Sequence, residues 1–128
     1  MTDVVVTVPK NFTWSGAPGK KGLAAWQAEG DQPNTPWSGA LWDYTTWGRR
    51  PTIAPGELVY VVCEGRLVGY APLVELQFDE RVNSMGYVTF IRGGGAVAVT
   101  LPKPIRGFRG WRYRWWQYRE EQLLEGRP

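Results

Sequence analysis

Histidine is absent from this sequence of 128 residues. The side chain that most often acts as a general base or a metal ligand is therefore missing, and so is every serine–histidine or cysteine–histidine nucleophile pair. Any catalysis would have to use lysine, aspartate, glutamate, tyrosine or threonine. The absence favours a binding protein over an enzyme and leaves only histidine-free catalysis open.

Cysteine occurs once, at Cys63, which excludes an intramolecular disulfide. A lone cysteine without histidine also lacks the set of strong ligands that a structural zinc site requires. Cys63 ends an apolar run that begins at residue 58. It is predicted to be a small buried side chain, with a reactive thiol as the alternative. We expect neither a metal nor another cofactor.

Long apolar runs are also missing, since no stretch approaches the roughly 20 residues that cross a bilayer. The first residues, MTDV, include an acid and lack the basic start and apolar stretch of a signal peptide. We therefore expect a cytoplasmic protein without membrane association. Hydrophobic residues make up 43% of the chain, as in folded proteins, and its length predicts a single domain over residues 1–128.

Acidic residues are absent from residues 103–119, which carry six basic side chains. The remainder of the chain holds nine basic and twelve acidic side chains, so positive charge is concentrated on this segment. A basic segment of this kind is the pattern expected where a protein contacts a polyanion.

Short strands dominate the predicted secondary structure. Alternating or β-branched apolar residues predict strands over residues 3–9, 40–47, 57–63, 66–75, 86–92 and 96–101. Glu64-Gly65 predicts a tight hairpin turn, and the glycines at 93–95 predict a second turn between the last two strands. Helix-forming residues predict a helix over 20–29 and a closing helix over 111–124. The predicted fold class is α+β, a small, mainly antiparallel β-barrel with one or two short helices.

The segment PTIAPGELVYVV (51–62), followed by GRLVGY (65–70), resembles a recurring element of PUA-like domains, in particular of the ASCH and EVE members. In those domains Pro-Gly-Asp precedes a strand, a turn and a strand with an internal glycine, and Glu57 stands here at the acidic position. The resemblance implies a PUA-like pseudo-barrel that binds RNA or a modified nucleotide in a cleft beside the first helix.

The basic segment is also rich in aromatic residues, as in the stretch IRGFRGWRYRWW (105–116). Arginine binds phosphates through two parallel hydrogen bonds and stacks on bases, so four arginines are predicted to contact nucleic acid: Arg106, Arg109, Arg112 and Arg114. The aromatic rings have two interpretations. They stack on bases, or they pack against the barrel while the arginines cover them on the outside.

Trp47, Arg49 and Arg50 form a second candidate cluster, in which a tryptophan on a strand precedes two arginines. Alternation along the strand puts Trp42 and Trp47 on opposite faces, and Trp47 is predicted to be the exposed one because it is nearer the arginines. Trp14 lies between the first strand and the first helix. In PUA-like domains this region borders the ligand cleft, so the resemblance implies a wall of the cleft at Trp14.

The primary prediction is a module that binds RNA or DNA, or a modified base, in an aromatic cleft with an arginine-rich rim. Two alternatives stay open. The resemblance also implies an ASCH-like nucleoside amidohydrolase or ribonuclease, for which Lys20 or Lys21 would be the nucleophile or base beside an acid such as Glu57. The other is a protein-interaction or assembly protein that buries its tryptophans against a partner. The sequence leaves the oligomeric state open.

Overall fold

The computed structural model describes residues 2–11, 19, 21, 42–92, 97 and 99–123. The predicted helix over 20–29 falls outside these residues, apart from the non-helical Lys21. The described part contains eight strands and one 3₁₀ turn: β1 (Val4–Thr7), β2 (Trp42–Arg49), β3 (Leu58–Cys63), β4 (Arg66–Val82), β5 (Met85–Arg92), β6 (Val99–Thr100), β7 (Trp111–Tyr113), the turn at Tyr118–Glu120, and β8 (Gln122–Leu123).

Six of these strands form one curled sheet with the order β2-β5-β4-β3-β1-β7. All neighbouring pairs are antiparallel except β1 and β3, which run parallel. Strands β6 and β8 form a separate antiparallel pair. The prediction of a mainly antiparallel, barrel-like β fold is confirmed for the described residues, whose only helical element is the 3₁₀ turn.

The core lies on both faces of this sheet, because its central strands are apolar at successive positions. Along β1, Val4 and Val6 belong to one buried cluster and Val5 to the other. A continuous run of valines is the pattern of a strand covered on both faces. Cys63 is buried in the first cluster, as predicted.

The hairpin between β3 and β4 is confirmed. Its turn residues, Glu64 and Gly65, have φ angles of 52° and 81°, the left-handed conformation that two-residue hairpin turns require. Strand β4 continues to Val82, seven residues beyond the predicted end, and turns through Asn83 and Ser84 into β5. Asparagine tolerates positive φ, so this second turn has a local cause.

The predicted pairing of residues 86–92 with residues 96–101 is wrong. Strand β5 lies between β4 and β2 and pairs with both, so neither of its edges is open to another strand. Strand β6 pairs instead with β8 near the end of the described chain. Val97, just before β6, forms an isolated antiparallel bridge with Tyr70 on β4.

The predicted closing helix over 111–124 is also wrong. Residues 111–113 form β7, which pairs with Val4–Val6 and supplies hydrogen bonds to the buried backbone of β1. The backbone N–H of Arg114 extends this pairing by donating to the Asp3 carbonyl at 3.0 Å. The sheet edge therefore determines the conformation here, and aromatic residues suit a strand.

The curl of the sheet brings its outermost described strands, β2 and β7, into contact. The Trp111 indole N–H donates to the Arg49 carbonyl at 2.7 Å. At Gly110, with a φ of 75°, a Cβ atom would lie 3.1 Å from the Trp47 carbonyl oxygen. Only glycine fits this approach without strain, so Gly110 fixes the chain entering β7 against β2.

A buried carboxylate, that of Asp3, ties the C-terminal part of the described chain to the sheet. Its Oδ1 accepts from the Leu58 N–H at 2.8 Å, and its Oδ2 accepts from Arg114 Nε at 3.2 Å and Tyr118 Oη at 2.6 Å. The hydrogen bond to Asp3 is the main cause that raises the pKa of the Tyr118 phenol, followed by burial. Arg114 also donates to the Trp116 carbonyl and lies over the Tyr118 ring.

Within the described part of the chain, no helix is long and apolar enough to cross a membrane.

Candidate functional site

The segment from Leu101 to Gly110 connects β6 to β7 and forms the rim of a surface cleft. Ile105 anchors it, because its side chain is buried in the second core cluster and its N–H donates to the Gly65 carbonyl at 2.8 Å. Pro102 and Pro104 restrict the backbone on the approach to this anchor. The charged neighbours Lys103 and Arg106 are exposed and line the cleft.

The cleft has a volume of about 440 Å³, within the usual range for small-molecule sites. We call it the basic cleft and define it by its six charged and aromatic lining residues: Lys103, Arg106, Arg112, Trp115, Trp116 and Glu120. Strand β7 and the residues after it supply the last four. Five of the six defining residues therefore come from the basic segment, residues 103–119.

Positive charge dominates the basic cleft, which holds three cations and one carboxylate. Among the described residues, no ion pair involves any of the three cations, Lys103, Arg106 and Arg112. The Glu120 carboxylate accepts a hydrogen bond from the Gln117 N–H at 2.8 Å, which holds it at the start of the 3₁₀ turn. The cleft thus offers an anion three cationic groups that have no carboxylate partner among the residues that the structure describes.

Trp115 is the exposed aromatic wall of the basic cleft, with 54% of its surface accessible. Its ring packs edge-on against Trp116, with centroids 4.9 Å apart, and more loosely against Phe108 at 6.3 Å. The Arg112 guanidinium lies 4.4 Å from the centroid of the Phe108 ring. These contacts hold the indole in place while leaving much of it open to a ligand.

Trp116 is the buried wall, with only 6% of its surface exposed. Its indole N–H donates to Glu121 Oε2 at 2.8 Å, and the Tyr60 hydroxyl donates to the same oxygen at 2.7 Å. Burial, followed by the hydrogen bond to Glu121, raises the pKa of the Tyr60 phenol well above its usual range. The phenol therefore stays protonated and continues to donate to Glu121. Glu121 in turn connects the core residue Tyr60 to Trp116 in the wall of the cleft.

The two interpretations of the aromatic residues thus apply to different rings. Trp116 packs into the core, Phe108 and Trp111 are partly buried against it, and Trp115 is exposed. Trp116 is buried because it contacts Tyr60 and Glu121. The local sequence therefore carries no signal that distinguishes the buried tryptophan from its exposed neighbour.

A second depression, of about 780 Å³, lies beside Trp47 and Arg109, with Tyr44 and Phe108 among its walls. Trp47 is 41% exposed and packs edge-on against Tyr87, with ring centroids 5.2 Å apart. The prediction that alternation leaves Trp47 exposed agrees with this placement.

The structure distributes the predicted arginines over different places. Arg106 and Arg112 line the basic cleft, and Arg109 lines the depression beside Trp47. Arg114 is not on the rim: its side chain is 17% exposed and its guanidinium forms an ion pair with Asp3, so its role is structural. Arg50 lines a separate hollow formed largely by residues 51–57.

The other predicted site residues are not gathered into one site. Arg49 is exposed at the end of β2, where its carbonyl accepts from Trp111. Trp14 and Lys20 lie outside the described residues, and Lys21 is exposed. The Glu57 carboxylate accepts from the backbone N–H groups of Thr2 and Ala54, so it fastens the N-terminal strand to the turn before β3.

Two residues of the basic cleft were not singled out from the sequence: Lys103, counted only in the basic segment, and Glu120. Nor does the sequence indicate a role for Glu121, which accepts a hydrogen bond from Trp116. The proline on each side of Lys103 is the one local signal that it is held in position. In the described ranges, no group of three or more cysteine or acidic side chains is arranged to hold a metal ion.

These features define a small β-rich protein whose curled sheet carries a cationic cleft with aromatic walls. Comparison of the chain with protein-family models, with curated proteins and with solved structures finds no match. The PUA-like interpretation therefore rests on the residues from 51 to 70 alone.

Proposed function

We propose that this protein binds single-stranded nucleic acid in the basic cleft. The phosphates would contact Lys103, Arg106 and Arg112, and a base would stack on Trp115. The observation that carries the proposal is that one cleft places a half-exposed tryptophan beside three cations, none of which has a carboxylate partner in the described ranges of the chain.

Each half of this arrangement recognises a different part of a nucleotide. Hydrogen bonds to charged groups contribute about 1.5–3 kcal/mol each, and the guanidinium fork matches two phosphate oxygens. Stacking of a base on an aromatic side chain contributes roughly 1–3 kcal/mol. A simple anion would pair with the cations and leave the exposed indole without a partner, whereas a nucleotide uses both.

Single strands suit the basic cleft better than a duplex. The face of Trp115 is accessible only to a base that has left its own stack, and unstacking is least costly in a single strand. RNA and DNA share the phosphate and the base faces on which the proposal depends. The three cations and the indole therefore support binding to either.

We also propose that the curled sheet is a PUA-like pseudo-barrel, as the resemblance of residues 51–70 to ASCH and EVE domains implies. The hydrogen bond between the edge strands β2 and β7 supports a barrel-like closure.

Replacing Trp115 by alanine should weaken binding of a short single-stranded oligonucleotide about tenfold, because one base loses its stacking platform. Trp115→Phe should retain most of the affinity, since phenylalanine keeps a flat ring. Fluorescence anisotropy of labelled RNA and DNA strands measures both effects.

The matched control is Val82→Ala. Val82 is an exposed apolar residue at the end of β4, and no residue of β4 lines the basic cleft. It should leave the dissociation constant unchanged within about twofold. Equal affinities of the parent and Trp115→Ala would show that no base stacks on this ring. Failure of the parent to bind any strand would refute the proposal and leave a protein partner as the remaining use of the exposed indole.

A further inference from the structure

The depression beside Trp47 is separated from the basic cleft only by the loop at residues 105–110. We call it the Trp47 depression and define it by Thr7, Tyr44, Trp47, Phe108 and Arg109. The basic cleft receives Arg106 from this loop, and the Trp47 depression receives Arg109. A single loop thus supplies an arginine to each of two neighbouring hollows.

Phe108 lines the Trp47 depression and contacts two side chains of the basic cleft. Its ring contacts Arg112 and Trp115 of the basic cleft, at 4.4 Å and 6.3 Å between group centres, and it also lines the Trp47 depression. Its backbone N–H donates to Thr7 Oγ1 at 3.2 Å, which attaches this residue to β1. Phe108 therefore lies next to both hollows, as a lining residue of one and in contact with lining residues of the other.

The loop between the hollows is held close to the sheet at both of its glycines. A Cβ atom at Gly107 would lie 3.3 Å from Thr7 Cγ2, and one at Gly110 would lie 3.1 Å from the Trp47 carbonyl oxygen. The Arg-Gly-Phe-Arg-Gly stretch is thus a folded loop in this protein, although its composition resembles that of unstructured Arg/Gly-rich tracts. The glycines set the positions of Phe108 and Arg109, which lie between them.

The Trp47 depression has the same two elements as the basic cleft. Trp47 presents an indole held edge-on by Tyr87, and the exposed Arg109 can contact a phosphate. The Tyr44 wall is fixed as well, because its hydroxyl donates to the Thr7 carbonyl at 2.6 Å. An aromatic platform beside a cation is the arrangement that single-strand binding proteins repeat along a strand.

We infer that the Trp47 depression is a second base-binding subsite, and that the ligand is a strand of several nucleotides crossing the loop at residues 105–110. This inference rests on the proposed function, because it extends the same ligand from the basic cleft. The ligand class is thus a nucleic-acid polymer, because a single nucleotide would occupy only one of the two subsites.

The test compares strands of two, four and eight nucleotides, in mixed-sequence RNA and DNA, by fluorescence anisotropy. The parent should bind the octamer at least tenfold more tightly than the dimer, because only the longer strand reaches both subsites. Trp47→Ala should weaken octamer binding about tenfold and leave dimer binding unchanged within about twofold. Trp47→Phe should behave like the parent.

Arg109→Gln is the second variant, since Arg109 is exposed and its loss spares the packing between Trp47 and Tyr87. It should also weaken octamer binding selectively. Octamer binding that is no tighter than dimer binding, or that neither variant weakens, would overturn the inference. The proposed function would survive that result if Trp115→Ala still weakened dimer binding. It fails if the parent binds none of the three strands.

Discussion

Replacing Asp3 by alanine is expected to lower the free energy of unfolding by about 3 kcal/mol or more. The substitution leaves the Arg114 guanidinium without its carboxylate partner in a site where that side chain is 17% exposed. It also removes the acceptor for the Leu58 N–H and the Tyr118 hydroxyl. Thermal and urea unfolding, followed by tryptophan fluorescence, measure the loss.

Asp3→Asn is the matched control, because its amide oxygen still accepts from the Leu58 N–H while the charge is removed. We expect an intermediate loss, since the ion pair disappears and part of the hydrogen bonding remains. An Asp3→Ala protein as stable as the parent would contradict the role of Asp3 in holding the segment after β7 against the sheet.

Replacing Arg106 and Arg112 together by glutamine is expected to weaken binding of single-stranded nucleic acid on the order of 100-fold, because two charge-assisted phosphate contacts are lost. The fold should persist, since both side chains are exposed and, in the described part of the chain, form no ion pair. Anisotropy titrations at one fixed salt concentration measure the loss.

Two controls make this result specific. Arg81→Gln removes one positive charge from an exposed pair with Asp79. Because Arg81 also lies over the Tyr87 ring that packs against Trp47, this control and the double substitution are compared on a two-nucleotide strand, for which Arg81→Gln should change affinity by less than about twofold. Replacing Arg106 and Arg112 by lysine keeps the charge and removes the guanidinium fork, so its affinity should be intermediate. If Arg81→Gln weakens binding as much as the double substitution, only the net charge matters and the proposed cleft is wrong.

The features of the fold that sequence predicted correctly have local causes. The β3–β4 hairpin follows from Glu64-Gly65 between two apolar runs, and β1 follows from its valines. The pairing of β5 and the strand at β7 depend on which sheet edges are open, which is decided by residues far away in the chain. A local pattern cannot supply that information, so both predictions failed.

In the candidate site, too, some features follow from the local sequence and others depend on residues far away in the chain. Residues 103–119 contain no acid, and Arg106 and Arg112 of this segment line one cleft. The placement of Arg114 depends on Asp3, which is 111 residues away in sequence. The difference between Trp115 and Trp116 depends on contacts of Trp116 with Tyr60 and Glu121. The spacing of the residues predicts neither the position of Arg114 nor the burial of Trp116 rather than Trp115.

The most direct test of the central claim is the salt dependence of binding to a labelled eight-nucleotide single strand. If Lys103, Arg106 and Arg112 of the basic cleft and Arg109 of the Trp47 depression each contact a phosphate, the logarithm of the association constant should fall against the logarithm of salt concentration with a slope near −3. Affinity should then drop roughly 50-fold between 50 and 200 mM NaCl. Binding that does not change with salt, or no binding at the lower concentration, would contradict the claim.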